Sequence, residues 1–122
     1  MNVKSIIEIR GIFEKRRGEV YSFPLALKIV RFLESTKTVD ALFRERMIRI
    51  LDECVEKDEV GDFVPAAGGY KLRTEKIKDY EEKKRELEEE MTEDTIFFSE
   101  KEIEELRLTV DELFAASAYL EV

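Results

Sequence analysis

The stretch PLALKIVRFLESTKTVDALFRERMIRILDECVEK, residues 24–57, decides the fold. Its apolar residues fall at Leu25, Ile29, Phe32, Leu33, Val39, Leu42, Phe43, Met47, Ile50, Leu51 and Cys54. Steps of three and four recur throughout, the period of an α-helix with one apolar face. Ser22-Phe23-Pro24 marks its start, because serine caps helices and proline fits the first turn. Residues 35–38, Ser-Thr-Lys-Thr, are poor helix formers and mark the place for a bend or break. Otherwise the stretch reads as one long central helix that has to pack against others along much of its length.

Working outward, residues 5–17 read as a helix with Ile6, Ile9 and Phe13 on one side, ended by Gly18 after the cationic turn Lys15-Arg16-Arg17. Val3, Ile7 and Ile9 also fit strand alternation, so an extended opening is the alternative. On the other side, Gly61, Pro65, Gly68 and Gly69 punctuate two extended pieces, Asp62-Phe63-Val64 and Tyr70-Lys71-Leu72. They predict an inserted short β-hairpin over about residues 60–73, with Gly68-Gly69 near the turn. Thr74 then caps a third helix over residues 75–91, where Ile77, Tyr80, Leu87 and Met91 follow a heptad with Lys84 in the middle slot. Residues 95–98 read as a short strand or extended link. Ser99 with Glu102, and Thr109 with Glu112, have capping-box spacing and predict short C-terminal helices over residues 100–106 and 110–120. The expected fold class is mainly α (α+β), a single helical domain spanning residues 1–122.

Composition excludes much chemistry. The 122 residues contain no histidine. That removes Ser-His-Asp and Cys-His nucleophiles, imidazole metal ligation and the usual general base near neutral pH. Cys54 is the one cysteine, so a disulfide framework and a structural zinc site within one chain are not expected. It sits on the apolar stripe of the central helix and reads as a packing residue. No signal-peptide core or membrane-length apolar run is visible, and a reducing cytoplasm is the expected compartment.

Calcium binding fails on spacing: with Gly61 at the glycine position of an EF-hand loop, the closing ligand would be Ala67. No acid–acid–lysine set on a strand-rich core suggests two-metal nuclease chemistry. Gly61, Gly68 and Gly69 are followed by no Gly-Lys-Ser/Thr, so they make no phosphate loop. The expectation is therefore a non-enzymatic protein without cofactor or metal.

The net charge of −8 is unevenly placed. Residues 1–74 carry 14 bases and 12 acids, whereas residues 75–105 carry 6 bases and 14 acids. An acidic field of this kind repels nucleic acid and attracts basic protein surfaces. Glu82, Glu86, Glu89, Glu90 and Glu93 fall broadly on one flank of a helix, with Asp94 beside them, and form the candidate partner-binding set. Carboxylates along a helix mimic the phosphates of DNA; the alternative is a solvated helix face. Ile77, Tyr80, Leu87 and Met91 form a second candidate set, for self-association. Lys15, Arg16 and Arg17, with Arg44, Arg46 and Arg49, read as solubility and helix-dipole complements rather than a nucleic-acid site.

Four stretches carry a resemblance: Phe23-Pro24 with Leu27-Lys28-Ile29 and Leu33-Glu34; Lys57-Asp58-Glu59 leading into Gly61-Asp62-Phe63-Val64; Gly68-Gly69-Tyr70-Lys71-Leu72; and Arg85-Glu86-Leu87-Glu88-Glu89-Glu90 before an apolar link and a terminal helix. In order and composition they resemble small uncharacterised proteins of tailed phages and prophages of Gram-positive bacteria. The resemblance implies a phage accessory protein that acts by stoichiometric binding, and it carries over no functional residue. Joined to the acidic helix, it leads to an expected function: inhibition of a basic host protein, a nucleic-acid-handling or defence enzyme such as a CRISPR effector, by DNA mimicry in the host cytoplasm. The alternative is a phage structural or assembly factor acting through helix-mediated self-association or docking.

Overall fold

A computed structural model describes residues 1–119. Its six α-helices run in the order α1 (Val3–Glu14), α2 (Phe23–Ser35), α3 (Lys37–Cys54), α4 (Ile77–Glu89), α5 (Glu100–Leu106) and α6 (Val110–Ala116). A two-stranded antiparallel hairpin, β1 (Pro65–Ala66) and β2 (Gly69–Tyr70), is inserted between α3 and α4. The fold is mainly α with an inserted hairpin, as the periodicity predicts.

The core gathers on α1. Ile6, Ile9, Ile12 and Phe13 are buried there and meet Leu25 and Phe32 of α2, Ile96 and Phe98 of the link after α4, Leu106 of α5 and Ala116 of α6. Phe13 sits at the centre, with ring centroids 5.7 Å from Phe32 and 5.8 Å from Phe98, both edge-to-face. That arrangement sets the positive ring edge against the negative face of its neighbour. α1 opens two residues before the predicted start, because the Asn2 side chain accepts a hydrogen bond from the Ser5 amide at 2.9 Å and caps it. The helical reading of its first turn is thereby the observed one.

The long central helix is divided at Thr36, inside the weak Ser-Thr-Lys-Thr stretch. Thr36 is fully buried, and its hydroxyl donates to the Phe32 carbonyl at 2.6 Å. Arg10 of α1 reaches into the break, donating to the Leu33 carbonyl at 2.7 Å and to the Thr36 hydroxyl at 2.8 Å. The Leu33 carbonyl freed by the break is thus supplied with a cationic donor, which makes an interior helix break tolerable. Ser22 does not cap α2 through its side chain; its hydroxyl and amide both bond Glu105 of α5 instead.

The hairpin falls within the predicted residues 60–73 but is shorter than its two extended pieces suggest: Pro65 pairs with Tyr70 and Ala66 with Gly69 around Ala67-Gly68. Gly68 at φ 80° supplies the positive dihedral of the turn. The predicted extended pieces join through isolated bridges, Phe63 to Lys57 and Leu72 to Val55. Three amides close a ring here: Glu56 donates to Lys71, Lys71 to Val64, and Val64 to Glu56.

Thr74 does not cap α4, which follows a 3-10 turn, Thr74–Lys76, and ends at Glu89 rather than residue 91. The early stop has a visible cause. The Val3 amide takes the Glu90 carbonyl at 2.9 Å, Asn2 pairs with Met91, and the Thr92 amide takes the Met1 carbonyl. The N-terminal segment captures the chain and turns it extended. Residues 95–98 form an extended link in which Phe98 is bridge-paired, its amide donating to the Tyr119 carbonyl at 2.7 Å, with Ile96 and Phe98 inward and Phe97 half exposed. Both capping boxes are present on α5 and α6. α6 is shorter than predicted, giving way to a 3-10 turn, Ser117–Tyr119, while Leu120 lies outside the described residues.

Candidate protein-docking surface

The proposed partner-binding carboxylates fall into two groups. Glu82, Glu86 and Glu89 lie on α4 at steps of four and three, and all three are exposed. Glu93 is exposed in the link that follows. None of these four forms an ion pair among the described residues. Glu90 and Asp94 belong elsewhere. Glu90 stands just past the helix end, and its carboxylate accepts from Arg46 of α3 at 2.6 Å. Asp94 is half-buried, and its carbonyl accepts from the Met1 ammonium at 2.9 Å. The candidate set is therefore three residues on the helix and one on the link, with Glu90 tied to Arg46 and Asp94 half-buried beyond the helix, bonded through its backbone carbonyl.

The neighbouring basic residues are mostly spoken for. On α3, Arg44 pairs with Asp40, Arg46 with Glu90 and Arg49 with Glu45. Lys83 of α4 bridges Glu53 and Asp79, and these hydrogen bonds hold its ammonium pKa above the ordinary value. At the end of α1, Arg17 pairs with Glu14, and Arg16 is turned inward onto Glu112 of α6. Glu82, Glu86 and Glu89 thus stand unpaired on α4 among the described residues, as do Lys78, Lys84 and Arg85 of the same helix.

The self-association set is also divided. Leu87 is buried and Tyr80 half-buried against the rest of the molecule, whereas Ile77 and Met91 are exposed, Met91 to 75%. Because α4 packs on α1 and α3, the middle of the heptad serves the chain's own packing. What remains is a groove along the α3–α4 seam. The Arg46–Glu90 ion pair crosses it and divides a recess of about 460 Å³, floored by Ile50 and Leu87, from a smaller one of about 160 Å³. Val39, Leu42 and Phe43 wall the smaller recess with Leu87 and Met91. By spacing alone these three α3 residues belong to the core stripe. The available signal was the adjacent pair Leu42-Phe43, which widens the stripe beyond what one neighbouring helix covers.

Elsewhere the geometry is structural. The Asp58 carboxylate accepts from the Val60 and Asp62 amides, both at 3.0 Å, and so builds the turn around Gly61. Among the described residues no three cysteine or acidic side chains are placed to hold a metal ion. Cys54 is buried, and burial, with Asp79 close by, pushes its thiol pKa up. No helix of the described residues is long and apolar enough to cross a membrane. Compared with protein-family models, curated proteins and solved structures, the chain shows no significant match to any.

Proposed function

We propose that this chain is a non-enzymatic binding protein whose acidic α4 edge docks on a basic surface of a protein partner. The observation that carries the reading is the contrast along the α3–α4 face: Glu82, Glu86, Glu89 and Glu93 are exposed and unpaired among the described residues, while the arginines of α3 beside them are neutralised. Unpaired carboxylates at helical spacing attract a cationic groove and raise the rate of encounter. A nucleic-acid-handling host enzyme supplies such a groove, and a phage-encoded inhibitor of the anti-CRISPR kind would occupy it in place of DNA.

The test is capture from a lysate of phage-infected bacteria with wild-type protein and with a Glu86→Lys, Glu89→Lys, Glu93→Lys variant. Glu90 is left alone because its loss would unpair Arg46. Recovery of a basic, nucleic-acid-binding enzyme that is released by high salt, inhibited by wild type and untouched by the variant is the expected outcome. Full capture and inhibition by the variant would sink the reading.

A second reading, a phage assembly factor, is favoured by apolar exposure on α6, where Val110 is 72% and Phe114 75% exposed on one face. It predicts self-association or docking to a virion protein that survives high salt. A strictly monomeric chain with no virion partner counts against it.

A further inference from the structure

We infer that the smaller recess of the α3–α4 seam is an anchor pocket, and that the element it receives is an amphipathic basic helix with a large apolar side chain among its lysines and arginines. The inference rests on the acidic-docking reading above and adds to it what the partner must present. Three observations converge. The open recess measures about 160 Å³, room for one large aliphatic or aromatic side chain, and its lining is mostly apolar, from Val3, Val39, Leu42, Phe43, Leu87 and Met91, with Thr92 and the Arg46–Glu90 pair at its polar side. Two of those walls face outward, Leu42 at 47% and Met91 at 75% exposure, so the apolar surface is open to an incoming group. The third observation is charge. Glu89 and Glu93 lie two residues either side of Met91 in the chain, both exposed and unpaired among the described residues.

An apolar seat with carboxylates beside it selects for apolar and cationic groups together. A bare polycation satisfies only the carboxylates, and a neutral apolar segment only the seat. The chain itself, at net −8, is a poor occupant, because a second copy would bring its own acidic face to this one. A helix fits the site because its side chains at steps of three and four place one apolar residue on the seam and cations on either side. The Arg46–Glu90 pair is half exposed at both ends and is worth little in water, so it can swing aside as the helix settles.

The experiment uses three fluorescein-labelled probes on the full chain: a 14-residue leucine–lysine amphipathic helix, an oligolysine of equal charge, and a leucine–serine helix without charge. Anisotropy titrations at low salt should rank the leucine–lysine probe about tenfold tighter than oligolysine, the gain expected from burying one large apolar side chain. The neutral probe should bind at least tenfold more weakly than the leucine–lysine probe. Met91→Gln and Leu42→Gln, which leave the charge unchanged, should remove most of the advantage of the leucine–lysine probe while leaving oligolysine affinity as it was. Amide shift changes should centre on Val39, Leu42, Phe43 and Thr92. Equal binding of the two cationic probes, with no response to either substitution, would overturn the anchor pocket and leave acidic docking standing. Shift changes confined to Val110, Leu113 and Phe114 of α6 would overturn it in favour of another apolar site. Failure of both cationic probes to bind at low salt would remove acidic docking and this inference with it.

Discussion

Glu112→Gln should destabilise the fold and flatten its dependence on acid pH, because Glu112 ties three helices through one arginine. Arg16, at the end of α1, donates from Nη1 to Glu112 Oε2 at 2.7 Å and from Nη2 to the other carboxylate oxygen. It also donates to the Leu106 carbonyl at 2.9 Å, the Ile12 carbonyl at 3.1 Å and the Arg107 carbonyl at 3.2 Å. One guanidinium thus serves carbonyls at the ends of α1 and α5, while Glu112 completes the capping box of α6. The two side chains are only 13% and 10% exposed. The Arg16 guanidinium is the largest influence on Glu112, holding its carboxyl pKa at about 2 against an ordinary 4.5. At about 1.4 kcal/mol per unit, that interval corresponds to roughly 3 kcal/mol, and residual solvent screening leaves about 2 kcal/mol.

The folded pKa is depressed, so this stabilisation is complete above pH 5 and is lost as pH falls from the ordinary value towards 2. Glutamine keeps the volume and one acceptor oxygen but loses the charge. Urea unfolding followed by circular dichroism should therefore show the variant about 2 kcal/mol less stable at pH 7, a midpoint lower by about 1–2 M. At pH 2 the two proteins should converge. Glu102, also held below its ordinary pKa by Lys28 and Ser99 against the opposing effect of burial, keeps a shallower acid slope in both. Parallel stability curves for wild type and variant between pH 7 and pH 2 would refute the assignment of this slope to the Arg16–Glu112 pair.

Two further predictions concern the ends of α3. Thr36→Val keeps the shape of the buried side chain but leaves Arg10 without its hydroxyl acceptor and the Phe32 carbonyl without that donor, so stability should fall by about 1–3 kcal/mol in the same unfolding assay. A loss below half a kilocalorie would show that the break at Thr36 is held by backbone contacts alone. Cys54, fully buried with a raised thiol pKa, should react with Ellman's reagent at pH 8 far more slowly than in urea-unfolded protein. Equal rates in native and unfolded protein would show that the distal end of α3 is open in solution.

What was legible in the sequence was what local chemistry decides. The two capping boxes, Ser99 with Glu102 and Thr109 with Glu112, give helix starts without reference to the rest of the chain. The apolar stripe from Leu25 to Cys54 gives helix, and Ser35-Thr36-Lys37-Thr38 gives its weakest point. What escaped was decided by distant partners. The acidic helix has no local reason to stop at Glu89; it stops because Val3 and Asn2 take up the next residues. For the same reason Glu93 leaves the flank on which helical spacing puts it, and Asp94 the place beside it. Ser22 and Thr74 look like caps, yet Ser22 is drawn to Glu105, 83 residues away. Glu112 was visible as half of a capping box, and its pairing with Arg16 was not, since nothing in a sequence ties two residues 96 positions apart.

The seating of α1 reverses the order of synthesis. Its amide and carbonyl partners are Glu90 and Thr92, the Met1 ammonium waits for Asp94, and Arg16 waits for Glu112. Separations of 93 and 96 residues carry a large loop-closure cost, whereas α3 and α4 are joined by a local hairpin. α1, made before α4 and α6, is therefore among the last elements to be seated in full. Until then α2 alone covers this face, with Leu25 and Phe32, and the side of Ile6, Ile9 and Phe13 that Ile96, Phe98, Leu106 and Ala116 will cover stays open to chaperones and proteases.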